Sequence, residues 1–131
     1  MRILVDTDVL LDVALNRESF LGPSQEVLRW AEGRPGQAAV AWHTLSNIAY
    51  LTTSPREFIR QLLEFVEVAP VSTKEARNAV RLPMGDLEDA LQAAAALAFE
   101  ANFIITRNVR DYRKSPIPAV SPFDFLTQVR K

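Results

Sequence analysis

Three apolar runs in this chain, Ile3-Leu4-Val5, Ala38-Ala39-Val40-Ala41 and Phe103-Ile104-Ile105, never alternate with polar residues. A strand with one wet face has a period of two, whereas a short run that is apolar at every position needs cover on both sides. Weaker runs at Val66 to Val71 and Ala119-Val120 complete the set. Stretches of helical character separate them. Short buried strands alternating with helices predict a short parallel sheet between two helical layers, an α/β/α sandwich three layers deep.

The helix starts are readable one by one. Ser54-Pro55-Arg56-Glu57 reads as an N-cap, a proline at the first helical position and a glutamate reaching back from the third, which is a capping box. Ser72-Thr73-Lys74-Glu75 repeats that logic, and Ser121-Pro122-Phe123-Asp124 does so with aspartate third. Helices are therefore expected at about 55–66, 73–82 and 122–130. Another is expected over about 87–101, where Leu87, Ala90, Leu91, Ala94, Leu97 and Ala98 recur at helical spacing. Three more are expected at about 8–16 or 8–18, 23–32 and 44–53.

A length of 131 residues predicts one domain over 1–131, large enough to fold without a disulfide or a structural metal. The absence of cysteine excludes thiolate zinc sites and a cysteine nucleophile, and it suits a reducing cytoplasm. Asp6 interrupts the N-terminus too early for a signal-peptide apolar region. The most apolar stretch, Ala93 to Phe99, falls far short of the ~20 residues that cross a bilayer, so no membrane role is expected. The net charge is −1, so any surface for nucleic acid must be local rather than global.

Ligands of open parallel sheets sit beyond the carboxyl ends of the strands. Asp6 and Asp8 follow the first strand, and His43 and Thr44 the second. Thr106, Arg107, Asn108 and Asp111 follow the Phe103-Ile104-Ile105 strand, and Gly85, Asp86 and Asp89 precede the helix at 87–101. Asp6, Asp89 and Asp111 are thus expected to meet at one edge. Carboxylates held within ~4–6 Å raise one another's pKa unless a cation neutralises them. An all-oxygen set without a histidine pair suits Mg²⁺ or Mn²⁺ and phosphoryl chemistry.

Other residues read as structural. Asp8 is expected to cap the first helix, and Asp12 to be a helix-surface charge. Asp86 is expected to cap the helix at 87–101, from where it and Asp89 could see one ion. His43, the sole histidine, is expected to cap or pack rather than to bind metal. Tyr112 is left open between packing and stacking. Beside a carboxylate site, Arg107, Arg110, Arg113 and Lys114 are expected to contact a phosphate backbone, with little base readout.

Two families resemble parts of this pattern. Asp6-Thr7-Asp8-Val9 after an apolar strand resembles the opening motif of the haloacid-dehalogenase-like phosphatases, and Gly85-Asp86-Leu87-Glu88-Asp89 resembles their late acidic motif. That resemblance implies a phosphatase with Asp6 as nucleophile and Asp8 as general acid. Lys74, however, is the sole lysine before the late motif, and it lies within a capping box.

The second resemblance runs from end to end. Ile3 through Asp12 is similar to the opening of PIN domains, an apolar strand followed by D(T/S)NVLLD. Asp89-Ala90-Leu91-Gln92-Ala93-Ala94-Ala95-Ala96 resembles their acidic helix. Ile104 through Tyr112 resembles their late strand and loop, and Ile117 through Leu126 their last short strand and helix. The small PIN proteins, VapC-type toxins among them, are the nearest in size and order.

This resemblance implies a Mg²⁺- or Mn²⁺-dependent endoribonuclease acting on RNA, a homodimer, and a small antitoxin as partner. By position the family's metal-binding acids fall on Asp6, Asp89 and Asp111, and Asp86 is a further acid that could join them. Thr106 and Asn108 fall where the loop supplies a hydroxyl and a further polar ligand. Asn47 takes the position of a glutamate common in the family and Asn108 that of a frequent aspartate, so two expected acids are uncharged amides here. A non-catalytic PIN-like binding subunit is the alternative that those two positions keep open.

Overall fold

The computed structural model describes residues 1–130. The elements run β1 (Ile3–Val5), α1 (Thr7–Ala14), α2 (Glu18–Glu32), β2 (Ala38–Val40), α3 (Trp42–Leu51), α4 (Pro55–Leu62) and β3 (Val66–Val68). They continue with α5 (Thr73–Ala79), α6 (Leu87–Ala98), β4 (Phe103–Ile105), a 3₁₀ turn (Val109–Tyr112), β5 (Ala119–Val120) and α7 (Pro122–Val129). The five strands pair in the order β3-β2-β1-β4-β5, every pairing parallel. The expected three-layer sandwich is therefore present.

The strands lack alternation because both faces are covered. Ile3, Val5, Ala38, Val40 and Ile105 enter one core with Val27, Trp30, Ile48, Phe125 and Leu126. Leu4, Ala39 and Ile104 point the other way, into a core with Ala93, Ala96, Phe99 and Tyr112. On that second face α6 uses alanine toward the sheet and again toward α5, where Ala90 and Ala94 meet Ala79. Methyl-sized contacts let a helix axis come close to its neighbours.

The chain builds outward from β1 through β2 to β3, then returns to β4 on the opposite side of β1. That reversal opens a crevice between β1 and β4, beyond their carboxyl ends. Val5 and Ile105 are paired there, so the residues that follow each strand emerge side by side.

Several helix boundaries differ from expectation, each for a local reason. Helix α1 begins at Thr7 because Asp6, not Asp8, is its N-cap, accepting from the Thr7 N–H at 2.8 Å. Helix α2 begins at Glu18 and carries Pro23 inside it, five residues earlier than the proline suggests. Helix α6 stops at Ala98, where Glu100 turns left-handed (φ 60°). The N–H groups of Glu100 and Ala101 then bond the carbonyls of Leu97 and Ala96, a Schellman closure. At α4 the expected box is not made: Ser54 makes no side-chain cap bond, and Glu57 is held by Arg60 and Gln61. The Ser72 N–H does reach Glu75 (2.7 Å), and the Ser121 hydroxyl accepts from the Asp124 N–H (3.0 Å). No helix among the described residues is long and apolar enough to cross a membrane.

Candidate active site

The crevice at the ends of β1 and β4 holds Asp6 and Asp8 at the start of α1 and Thr106 on the loop after β4. Asp6 is buried, 8% exposed, and Thr106 is wholly buried. The Thr106 hydroxyl donates to Asp6 Oδ2 at 2.8 Å and lies 3.3 Å from Asp8 Oδ2. Asp8 Oδ2 also accepts from the Arg107 N–H (3.0 Å) and the Asn108 amide (3.2 Å), while its Oδ1 is buried without a partner. Asp8 is thus part of the site rather than the cap of α1. The sequence signal was available: Asp6 sits at the strand end, so the first helical turn starts one residue earlier.

Asp89 approaches from the start of α6. Asp86 caps that helix as expected, accepting from the Asp89 N–H at 3.0 Å. The Tyr112 hydroxyl stands between the two elements, 3.2 Å from Asp6 Oδ2 and 3.2 Å from Asp89 Oδ1. A phenol carries one proton and donates to one carboxylate at a time. The second contact is favourable only if that carboxyl itself carries a proton. Burial, then Asp8 beside it, pushes the Asp6 carboxyl up to about 7. Burial, followed by Asp86, pushes Asp89 up to about 6. Burial also raises Asp8 and, together with Asp6 and Asp89, the Tyr112 phenol.

A pocket of about 310 Å³ opens onto Asp6, Asp8, Asn47, Glu88, Asp89 and Asn108. Asn47 lies where it was expected, on α3, with its amide on Glu88 Oε1 at 3.1 Å. Glu88 is the residue sequence reasoning passed over. It brings from α6 the charge that α3 lacks, and its signal was its place immediately before Asp89. Asp111 is exposed and lies on the other side of Asp89. There it lines a recess of about 420 Å³ with Asp86, Arg110, Arg113 and Lys114. Asp89 faces both spaces.

Two of the expected residues are placed otherwise than the sequence suggested. Asp12 is not a surface charge but is completely buried. Its carboxylate takes two bonds from the Arg107 guanidinium (2.8 and 3.1 Å) and one from the Ser24 hydroxyl, with Arg17 at 3.5 Å. Arg107 is correspondingly turned away from any phosphate and lies over the Phe20 ring at 3.8 Å. Arg110, Arg113 and Lys114 are exposed, and none makes an ion pair among the described residues. His43 is half-buried, with Nε2 unpartnered and its pKa lowered by burial.

Among the described residues, no three Asp, Glu or His side chains come close enough to share one ion. The donor chemistry nevertheless suits a hard cation. The set is all oxygen, Asp8 Oδ1 has no partner, and burial together with neighbouring acids raises both Asp6 and Asp89, a cost that a bound cation would relieve.

A family model described as PIN domain matches residues 2–110. Among curated proteins, none matches the sequence. A toxin–antitoxin complex from Klebsiella pneumoniae contains a similar chain, at 23% identity and TM-score 0.65 over 92% of this chain and 97% of that one. VapBC2 from Rickettsia felis, bound to a DNA fragment from its promoter, gives TM-score 0.68 at 15% identity, covering 92% and 98%. VapBC-1 from nontypeable Haemophilus influenzae gives 0.63 at 17%, covering 94% and 99%.

Proposed function

This chain belongs to the PIN domain family, and from that premise we propose that it is a divalent-metal-dependent endoribonuclease, the toxin of a toxin–antitoxin pair. One observation carries the activity. Asp6, Asp8, Glu88 and Asp89 open onto one pocket at the sheet's switch point, and none of them makes an ion pair among the described residues. Similar folds in chains from toxin–antitoxin complexes support the biological role. A homodimer, a small antitoxin partner and a cytoplasmic location belong to the same proposal.

Asp6 and Asp89, with Asp8 beside them, would hold Mg²⁺ or Mn²⁺, and Asp86 and Asp111 add negative charge from the far side of Asp89. When bound, such an ion polarises a phosphate oxygen and lowers the pKa of water. The chain's own residues do the rest. Thr106 fixes Asp6, and Asn108 fixes Asp8. Asn47 orients Glu88 toward the pocket it shares with Asp89. Tyr112 keeps the Asp6 and Asp89 carboxyls on either side of one hydroxyl. Arg110, Arg113 and Lys114 seat the phosphate backbone; Arg107 instead holds the loop.

Asp6→Asn should reduce Mn²⁺-dependent cleavage of single-stranded RNA by at least ~100-fold, the scale of losing a principal electrostatic group, while the protein stays folded. Equal cleavage by wild type and variant rejects the assignment. Mn²⁺ at a hundredfold excess over its dissociation constant should add ~2.7 kcal/mol of stability. The lack of a three-acid cluster among the described residues favours one second reading, a non-catalytic RNA-binding subunit. Its mark is RNA binding indifferent to chelator, with no stabilisation by Mn²⁺.

A further inference from the structure

Three cations lie on a face of the molecule that the site does not use. Lys74 and Arg77 share one face of α5 at i, i+3, and Arg81 follows just after the helix. They line a groove of about 530 Å³ between α5 and α6, floored by Ala94, Leu97 and Ala98. None of the three makes an ion pair among the described residues. Glu75, which lines the same groove, is turned to the Ser72 N–H and hydroxyl. Helix α4 shows what an ordinary solvated face looks like here, with Arg60 paired to both Glu57 and Glu64. In a chain of net charge −1, three exposed cations around one apolar floor make a locally basic surface.

The groove and the site are linked along the chain: Arg81 lines the groove, and two residues later Pro83 begins to line the recess beside Asp89. Pro83 to Asp86, the segment joining α5 to α6, borders the recess of Arg110, Arg113 and Lys114. Asp89 stands near one end of α6 and the groove floor near the other, ~8–14 Å along the axis at 1.5 Å per residue. We propose that this α5–α6 groove carries the phosphate backbone of single-stranded RNA extending from the site, with Lys74, Arg77 and Arg81 as the residues that hold it. The proposal rests on the ribonuclease assignment for the identity of the polyanion. The apolar floor offers a surface for bases to rest on, and the cations give affinity without reading sequence.

Binding is measured by fluorescence anisotropy with labelled single-stranded RNA in chelator across a salt series, so that no cleavage occurs. Lys74→Gln/Arg77→Gln/Arg81→Gln should weaken binding and flatten the slope of log K against log salt by about 2, at ~0.7 for each phosphate no longer neutralised. Arg77→Gln alone should flatten it by about 0.7, which covers the case of a triple variant that does not fold. An unchanged affinity and slope overturn the proposal, as does a wild type that binds no RNA at low salt. If the triple variant loses polyglutamate binding but keeps RNA binding, the groove takes an acidic polypeptide and the proposal is also overturned. Cleavage in Mn²⁺ is scored separately. Groove-dependent binding without cleavage overturns the nuclease assignment and leaves the RNA track in place.

Discussion

Asp8 and Asp12 lie one helical turn apart on α1 and both meet the loop after β4, yet the fold treats them oppositely. Asp12 is buried against two guanidinium groups and a hydroxyl. Asp8 and its neighbour Asp6 receive only neutral donors: hydroxyls, an amide and backbone N–H groups. The contrast separates an acid that fixes architecture from acids left in want of a cation. Arg107 divides the two roles within one residue. Its side chain neutralises Asp12 while its N–H holds Asp8.

The largest expected effect falls on the paired side. Arg107→Ala leaves a buried carboxylate with the Ser24 hydroxyl and, as its remaining charged partner, the looser Arg17, and should cost ~3 kcal/mol in urea unfolding. A cost below ~1 kcal/mol would erase the distinction between the two regions. On the unpaired side the sign reverses. Folded Asp6 keeps its proton up to about 7, against an ordinary value of 3.8. Between those values the native state binds more protons than the unfolded chain, so in chelator stability falls as pH rises through that window. Asp6→Asn should remove that slope and stabilise the protein at about pH 8 relative to the wild type. A wild type whose stability rises over the same range would contradict it.

Smaller effects sharpen the boundary. Tyr112→Phe should cost ~1 kcal/mol for the missing hydroxyl bond and raise the Asp6 titration further, because the hydroxyl favours the ionised form. Titration followed by carboxyl carbon NMR measures that shift. Phe20→Ala removes the ring under Arg107 and should cost only ~0.5–1 kcal/mol, with cleavage unchanged.

The sheet and its order of helices were legible because each buried strand and each cap is a local signal. Asp6, Asp86 and Asp89 were legible for the same reason, lying where a strand ends or a helix begins. Asp8 and Asp12 were not, because their partners on the loop after β4 lie nearly a hundred residues away, and no local pattern separates a capping, surface or buried aspartate. Arg107 shows the same limit: a basic loop residue reads as a phosphate contact until Asp12 is found beneath it. Helix α2 starts early because its first turn, with Arg17 before it and Phe20 within it, is docked on that buried pair. At α4 the cap failed because Glu57 had a better partner one turn ahead.

The alanines of α6 have a consequence for how such a protein could change over generations. Asp89 rides on a helix whose height above the sheet is set by methyl groups at Ala93 and Ala96. Substituting either with a larger residue lifts the whole rod, and Asp89 moves with it relative to Asp6. Lineages could therefore drift in the gap between these acids, and so in the size of ion or strand admitted, while every acidic residue stayed the same.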